Sequence, residues 1–330
     1  MYDKDGNIAQ DPILNWEKQL WLNTHDESVF YANDRWKTQW SHASNDCKPQ
    51  AKGEGTSIMV SDFLSPDYGQ LKTDKRCVSF IHFSTVSELV PQCSDACILL
   101  KPGKNRDGYF SNEDLIEQTS NAIDIFEELQ PDGQMLIIFD NATTHHAHSS
   151  NALSALYIPL HPRLWVTKKQ TICMRDASFI TGELQSLYYP DNHSMHPGWF
   201  KGMKVILQER GIHLDKKTFA QCNKDAFGKC QDKSLASKCC YRRVLYNQKD
   251  FRDQKGALQE LVEARGHICD FYPKFHQELN FIEQYWGAYK YSYRSTAPSS
   301  NIKVMENIMI ECLDNIPLIQ IQRYVILTCI

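Results

Sequence analysis

What the chain lacks narrows the field first. No apolar run approaches the roughly 20 residues that cross a bilayer as a helix, and the polar, acidic start MYDKDGNIAQDP is no secretory signal. An intracellular protein is therefore expected. Its 12 cysteines then read as thiols or metal ligands rather than a disulfide framework. An excess of basic charge is also missing, since the formal net charge is −4. A protein that grips long duplex DNA alone carries a strongly basic face, because phosphate contacts dominate affinity. That role is disfavoured unless the fold gathers residues such as Arg242, Arg243, Lys290 and Arg294. Internal repeats and low-complexity tracts are absent too. What remains is ordinary globular composition, 42% hydrophobic and 23% charged, in 330 residues, enough for one large domain or two smaller ones.

The pattern of apolar residues predicts a mixed α/β sheet. Residues 19–23 read as a short strand ending at Thr24-His25-Asp26. Strands are expected over 56–63 and 77–83, with Ser65-Pro66-Asp67 as a turn, and another over 97–100. Ser111 is positioned as a helix N-cap with Asp114 completing a capping box. The helix after it presents Leu115, Ile116, Thr119, Ala122, Ile123, Phe126 and Leu129 at 3.6-residue spacing. Residues 135–139 form a continuous apolar run that suits a buried strand. Beyond 150 the regularity fades, apart from a helix expected over 197–210 and stopped by Gly211. A strand at 267–272 then leads to an aromatic-rich helix, and a last helical region, 301–326, is broken near Pro317.

Three acids stand out against that background. Asp26 and Asp140 sit at expected strand ends, and Glu283 lies in the first turn of the helix in FYPKFHQELNFIEQYW. Carboxylates delivered from two strands and a helix can hold a pair of divalent cations, the arrangement needed to cut or join a phosphodiester backbone. Each acid also has a plainer reading. Asp-Asn after a strand is a common turn, Asp26 could cap the next segment, and Asn280-x-x-Glu283 could be a capping box. Asp62, in SIMVSDF, competes with Asp26 for the first position.

Taken together, Asp26-Glu27-Ser28-Val29-Phe30, Asp140-Asn141-Ala142-Thr143-Thr144-His145 and the run from Glu278 to Trp286 resemble the three motifs of mariner-type DDE transposases. The wider text (HDESVFYANDR, FDNATTHH, WFKGM, RGHICDFYPKF) is similar to DDE endonuclease-like proteins of fungal transposons over nearly the whole chain. The resemblance implies an RNase H-like mixed sheet flanked by helices, with a large irregular insertion before the last catalytic helix. It divides the chain into 1–150 and 266–330 as core and 151–265 as an inserted subdomain. It implies DNA cleavage and strand transfer, with two Mg²⁺ or Mn²⁺ ions on Asp26, Asp140 and Glu283. The implied partners are transposon ends and target DNA, in a nuclear protein that forms a homodimer. The stretch from Asp140 to Glu283 is much longer than in compact mariner-type enzymes, and no helix-turn-helix module is recognisable before Asp26. A catalytic-domain fragment or a truncated copy is therefore expected. The alternatives are a catalytically silent relic that binds nucleic acid or protein, and an RNase H-type nuclease without strand transfer.

Smaller signals complete the reading. His145 is expected to support the acids rather than ligate directly. Cys222, Cys230, Cys239 and Cys240 are either reduced thiols or a structural Zn²⁺ site with His213 as a spare ligand. Their spacing matches no C-x2-C knuckle, and adjacent cysteines seldom share an ion. The aromatic run from Tyr285 to Tyr293 has helical spacing, which favours core packing over base stacking.

Overall fold

The computed structural model describes residues 18–34, 36, 52–73, 79–80, 95–156, 158–164, 174–222, 230, 232–297 and 299–328. Both flanks of the strand expected over 77–83 lie outside them. The chain forms two compact units, the first comprising Met1–Ala147 with Ala257–Ile330 and the second His148–Gly256. In chain order the first unit starts with β1 (Gln19–Tyr31), β2 (Ser57–Ser65), β3 (Gly69–Gln70) and β4 (Ser79–Phe80). It continues with β5 (Ile98–Leu100), α1 (Asn112–Leu129) and β6 (Gly133–Phe139). The second unit holds β7 (Ala177–Ser178), β8 (Leu184–Gln185), α2 (Gly202–Glu209), α3 (Tyr241–Tyr246) and α4 (Lys249–Arg252). The first unit resumes with α5 (Ala257–Ala264), β9 (Ile268–Phe271), a 3-10 turn at Gln277–Leu279, α6 (Phe281–Arg294), α7 (Ile302–Asp314) and α8 (Leu318–Thr328). At the point of re-entry Ala257 N donates to Ala147 O at 2.8 Å.

The first unit is an α/β layer structure whose mixed, helix-flanked sheet is compatible with an RNase H-like fold. Its strand order is β4-β5-β2-β1-β6-β9, with β3 also paired to β2. β1 is the pivot: it runs antiparallel to β2 from Thr24 to Tyr31 and parallel to β6 from Gln19 to Thr24. This corrects the expected short strand. β6 parts from β1 at the Thr24–Ile138 pair, but β2 keeps hydrogen-bonding β1 as far as Tyr31. Asp26 is thus inside a strand, just past the point where the parallel ladder ends.

Successive β1 side chains face opposite sides of the sheet, and each side has its own helices. Leu22 and Phe30 pack with Phe281, Ile282, Tyr285, Trp286 and Tyr289 of α6 and with Met309 of α7. Trp21 packs with Ile123 and Phe126 of α1 and with Leu258 and Val262 of α5. The α6 aromatics are core, as their spacing indicates, and burying each contributes roughly 2 kcal/mol of hydrophobic stabilisation. α1 begins where expected: Ser111 Oγ accepts from Asp114 N at 3.3 Å while Asp114 Oδ2 accepts from Ser111 N at 2.7 Å. Inside the layer, buried Gln118 of α1 donates to the carbonyls of Ser61 and Ala96 at 3.0 and 2.8 Å, tying the helix to β2.

The second unit packs Ile158, Leu187, Phe200, Met203, Ile206 and Leu245 into a separate core. The helix expected from 197 begins only at Gly202, because Phe200 forms bridges to Arg163 and Tyr188 that keep the chain extended. Gly202 itself has φ +78, and a Cβ there would lie 2.6 Å from the His161 carbonyl, so only glycine fits. Gly211, at φ +73, ends the turn after α2.

Candidate functional site

Asp26, Asp140 and Glu283 all line one open pocket of the first unit, about 390 Å³ in volume. Each arrives by a different route. Asp26 projects from β1 on the α6 side of the sheet, and Asp140 follows the last residue of β6. Glu283 stands in the first turn of α6. The capping box that competed for Glu283 does not form, since Asn280 makes no side-chain cap bond. Instead Asn280 Oδ1 accepts from Thr24 Oγ1 at 2.7 Å, pinning the start of α6 to β1. Tyr272 completes that brace: its hydroxyl donates to Thr24 Oγ1 at 3.3 Å, and its carbonyl accepts from Asn141 Nδ2 at 3.0 Å. The loop after β6, the loop after β9 and the head of α6 are therefore tied together around the acids.

The electrostatics show how close the acids are. Burial, followed by the charges of Glu283 and Glu27 and then Asp140, pushes the Asp26 carboxyl up to about 8. Trp286 Nε1 donates to Asp26 Oδ2 at 3.1 Å and fixes the carboxyl's orientation. Asp140 behaves oppositely. Burial alone would raise it, but contact with His145 outweighs burial and holds it below the usual carboxylate range. His145 Nδ1 pairs with Asp140 Oδ1, and its Nε2 lies 3.8 Å from Glu27 Oε1. Burial disfavours the imidazolium, yet these two carboxylates carry His145 up to about 10, so it is charged at neutral pH. Beneath it, burial pushes His25 down to about 4, and His25 Nε2 meets Ser61 Oγ at 2.8 Å.

Asp62 is not at the pocket. It is fully buried within β2, with Oδ1 accepting from Phe63 N at 2.8 Å and Oδ2 from Gln70 Nε2 at 3.0 Å. Three of the basic residues singled out in the sequence are engaged within their own units. Arg294 is paired with Asp34 at 2.9 Å, Lys290 sits over the Phe30 ring, and Arg242 donates to the carbonyls of Ala155 and Leu156. Sequence reasoning passed over Glu27, the anchoring Trp286 and the rim made by Pro273, Lys274, Phe275, His276 and Gln277. Glu27 was detectable in principle, since strand alternation puts it on the opposite side of the sheet from Asp26, where His145 lies. The rim carried no periodic signal. Phe275 there is 96% exposed and adopts φ +68, a strained conformation for an aromatic residue.

The donor set fits a hard divalent cation. The acids supply oxygen ligands, with the Asn141 amide beside them, the chemistry that Mg²⁺ and Mn²⁺ favour. With its carboxyl raised to about 8, Asp26 is mostly protonated at neutral pH, and a cation at the pocket would favour the ionised form.

The sequence matches no family model and no curated protein. Among solved structures the chain is similar to the Mos1 mariner paired end complex with Mn, with 16% identity over 38% of this chain and 30% of that one, and a TM-score of 0.25. It is also similar to the Mos1 transposase paired-end complex with left transposon end, at 16% identity and a TM-score of 0.26 over 38% and 30% of the two chains. A pre-cleavage Mos1 transpososome gives 16% identity and a TM-score of 0.26, over 38% of this chain and 31% of that one. The chain thus spans about a third of the length of the solved chains it matches. Among the described residues, no helix is long and apolar enough to cross a membrane.

Proposed function

We propose that the first unit is a divalent-metal-dependent DNA endonuclease and strand transferase of the DDE kind, with Asp26, Asp140 and Glu283 as its catalytic ligands. One observation carries this reading: three acids from distant parts of the sequence line a single pocket, and Asp26 is raised to about 8 by burial and its acidic neighbours. Such a cluster is costly to the fold on its own and is explained by a cation that it serves.

When bound, Mg²⁺ or Mn²⁺ supplies a lowered pKa for an attacking water or 3′-hydroxyl and charge stabilisation for the leaving oxygen. The chain's own residues do the positioning. Trp286 fixes Asp26, protonated His145 holds Asp140 ionised, and the Thr24–Asn280 bond sets Glu283 at the pocket wall. Lys274 on the rim would meet a phosphodiester backbone, and Phe275 offers an exposed ring on which an unpaired base can stack.

The test is nicking of supercoiled DNA, and joining of a 3′-hydroxyl end to it, with Mg²⁺ or Mn²⁺. Activity is expected in wild type and absent in Asp140→Asn; equal activity in the two would refute the assignment. A second reading is a silent relic that binds nucleic acid or a protein; the His145 contact engages Asp140 Oδ1 and leaves a cation the other oxygen. That reading predicts no heat of Mn²⁺ binding in calorimetry.

A further inference from the structure

The second unit carries a group of side chains that the proposed nuclease site does not use. The sulfurs of Cys222, Cys230, Cys239 and Cys240 all lie within 4.8 Å of one another. Cys230 Sγ is 3.9 Å from Cys240 Sγ, and Cys239 Sγ is also 3.9 Å from Cys240 Sγ. Zinc–sulfur bonds of about 2.3 Å at tetrahedral angles give sulfur–sulfur edges of about 3.8 Å. Two edges already have that length, and the upper bound on the rest leaves about 1 Å to close. A disulfide would need sulfurs about 2.05 Å apart. We propose that these four cysteines form a tetrahedral Zn²⁺ site that cross-links the second unit.

The local chemistry agrees with the geometry. Cys230 and Cys240 are buried, whereas Cys222 and Cys239 are partly exposed. The group is therefore screened from water on one side and accessible to an entering ion on the other. Arg243 N donates to Cys240 Sγ at 3.4 Å, the kind of outer bond that orients a ligating sulfur. Lys233, Arg242 and Arg243 line a cavity together with Cys230 and Cys240. Their positive charge offsets the net −2 of a zinc ion bound by four thiolates. Adjacent cysteines seldom share an ion, yet the sulfurs of Cys239 and Cys240 both turn into the group. The donor set also separates this site from the acids of the first unit: thiolates select zinc, carboxylates select magnesium or manganese.

A structural need is visible as well. The described elements of this unit are short, the longest being the eight residues of α2. A bound metal would add a cross-link between segments that no backbone ladder joins. Here the tie would join Cys222, Cys230 and the start of α3 at Cys240.

The test uses the full chain, purified with zinc in the medium and a phosphine reductant, and its readouts need no nuclease activity. Elemental analysis is expected to give a single zinc per chain, retained in Asp140→Asn and lost in the double variant Cys230→Ser/Cys240→Ser. Because that variant may fail to fold, Co²⁺ is titrated into the metal-stripped wild-type chain. The expected spectrum combines the intense visible bands of tetrahedral Co²⁺ with thiolate-to-cobalt charge transfer. Zinc content near zero, iron in its place, zinc retained by the folded double variant, or a Co²⁺ spectrum without thiolate charge transfer would each overturn the proposal.

Discussion

In the first unit β1 runs for 13 residues, hydrogen-bonded on both edges and covered by helices on both faces. In the second, the described strands are the two-residue pair β7–β8, and order comes from side chains that reach across loops. Arg210 grips Asp250 with two bonds of 2.9 and 2.8 Å and donates to Gln185 Oε1 at 2.8 Å. Arg242 satisfies the carbonyls of Ala155 and Leu156. Backbone ladders run through the first unit, whereas polar cross-ties supplement the apolar core of the second. The comparison shows why charge has opposite meanings in the two. In the second unit the half-buried charges of Arg210 and Asp250 are paired and structural. In the first, the acids that line the pocket are crowded together, and the fold tolerates them.

That contrast can be broken by substitution, beginning with the largest effect. Asp140→Asn is expected to lower metal-dependent nicking by more than about 100-fold with no loss of cooperative unfolding followed by circular dichroism. In the second unit, Arg210→Met leaves half-buried Asp250 with backbone donors such as Ser178 N but no charged partner, and should cost about 2 kcal/mol, read from urea unfolding. The same pair gives a pH test. Burial works against the charged form, but Arg210 outweighs it and holds the Asp250 carboxyl below its usual range. Its stabilisation is thus present above the unfolded value near 3.9 and disappears as pH falls through the lower folded value. Arg210→Met should remove that acid-side dependence.

Asp26 gives the reverse sign. Its carboxyl is raised to about 8, so ionisation opposes folding from about pH 4 upward, and the penalty levels off above about 8. Asp26→Asn, measured without metal, should raise Tm by roughly 10 °C at pH 8 and hardly at all at pH 4. The smallest effect sharpens the reading of the rim. Phe275→Ala should weaken single-stranded DNA binding by about 1 kcal/mol in fluorescence anisotropy and leave stability nearly unchanged.

Legibility in the sequence followed the same division. α1 could be placed from its cap and its 3.6-residue pattern because both signals are local, and the buried stripe of α6 was readable for the same reason. β6 could be found from a continuous apolar run. The true end of β1 was not readable, because β2, far along the chain, decides how long β1 stays extended. The three acids could be nominated by residue type and neighbouring elements, but their burial, the His145 contact and the Trp286 bond depend on tertiary packing. In the second unit the helix expected over 197–210 is present as α2 and ends before Gly211, but a bridge at Phe200, not a cap or a breaker, sets its start. The cysteines could be grouped as thiols or a zinc site, but their spacing matched no standard knuckle and could not decide between the two.

The parallel pairing of β6 with β9, from Leu136–Ile268 to Phe139–Phe271, has a consequence for synthesis. When the ribosome has finished β6, the strand that will flank it has not yet been made, and the whole second unit must emerge before it. One edge of the central sheet stays uncovered during that interval, exposed to neighbouring nascent chains. Rapid maturation of the second unit would shorten the wait, because a folded body whose ends meet at Ala147 and Ala257 delivers β9 to its place with little entropy left to lose.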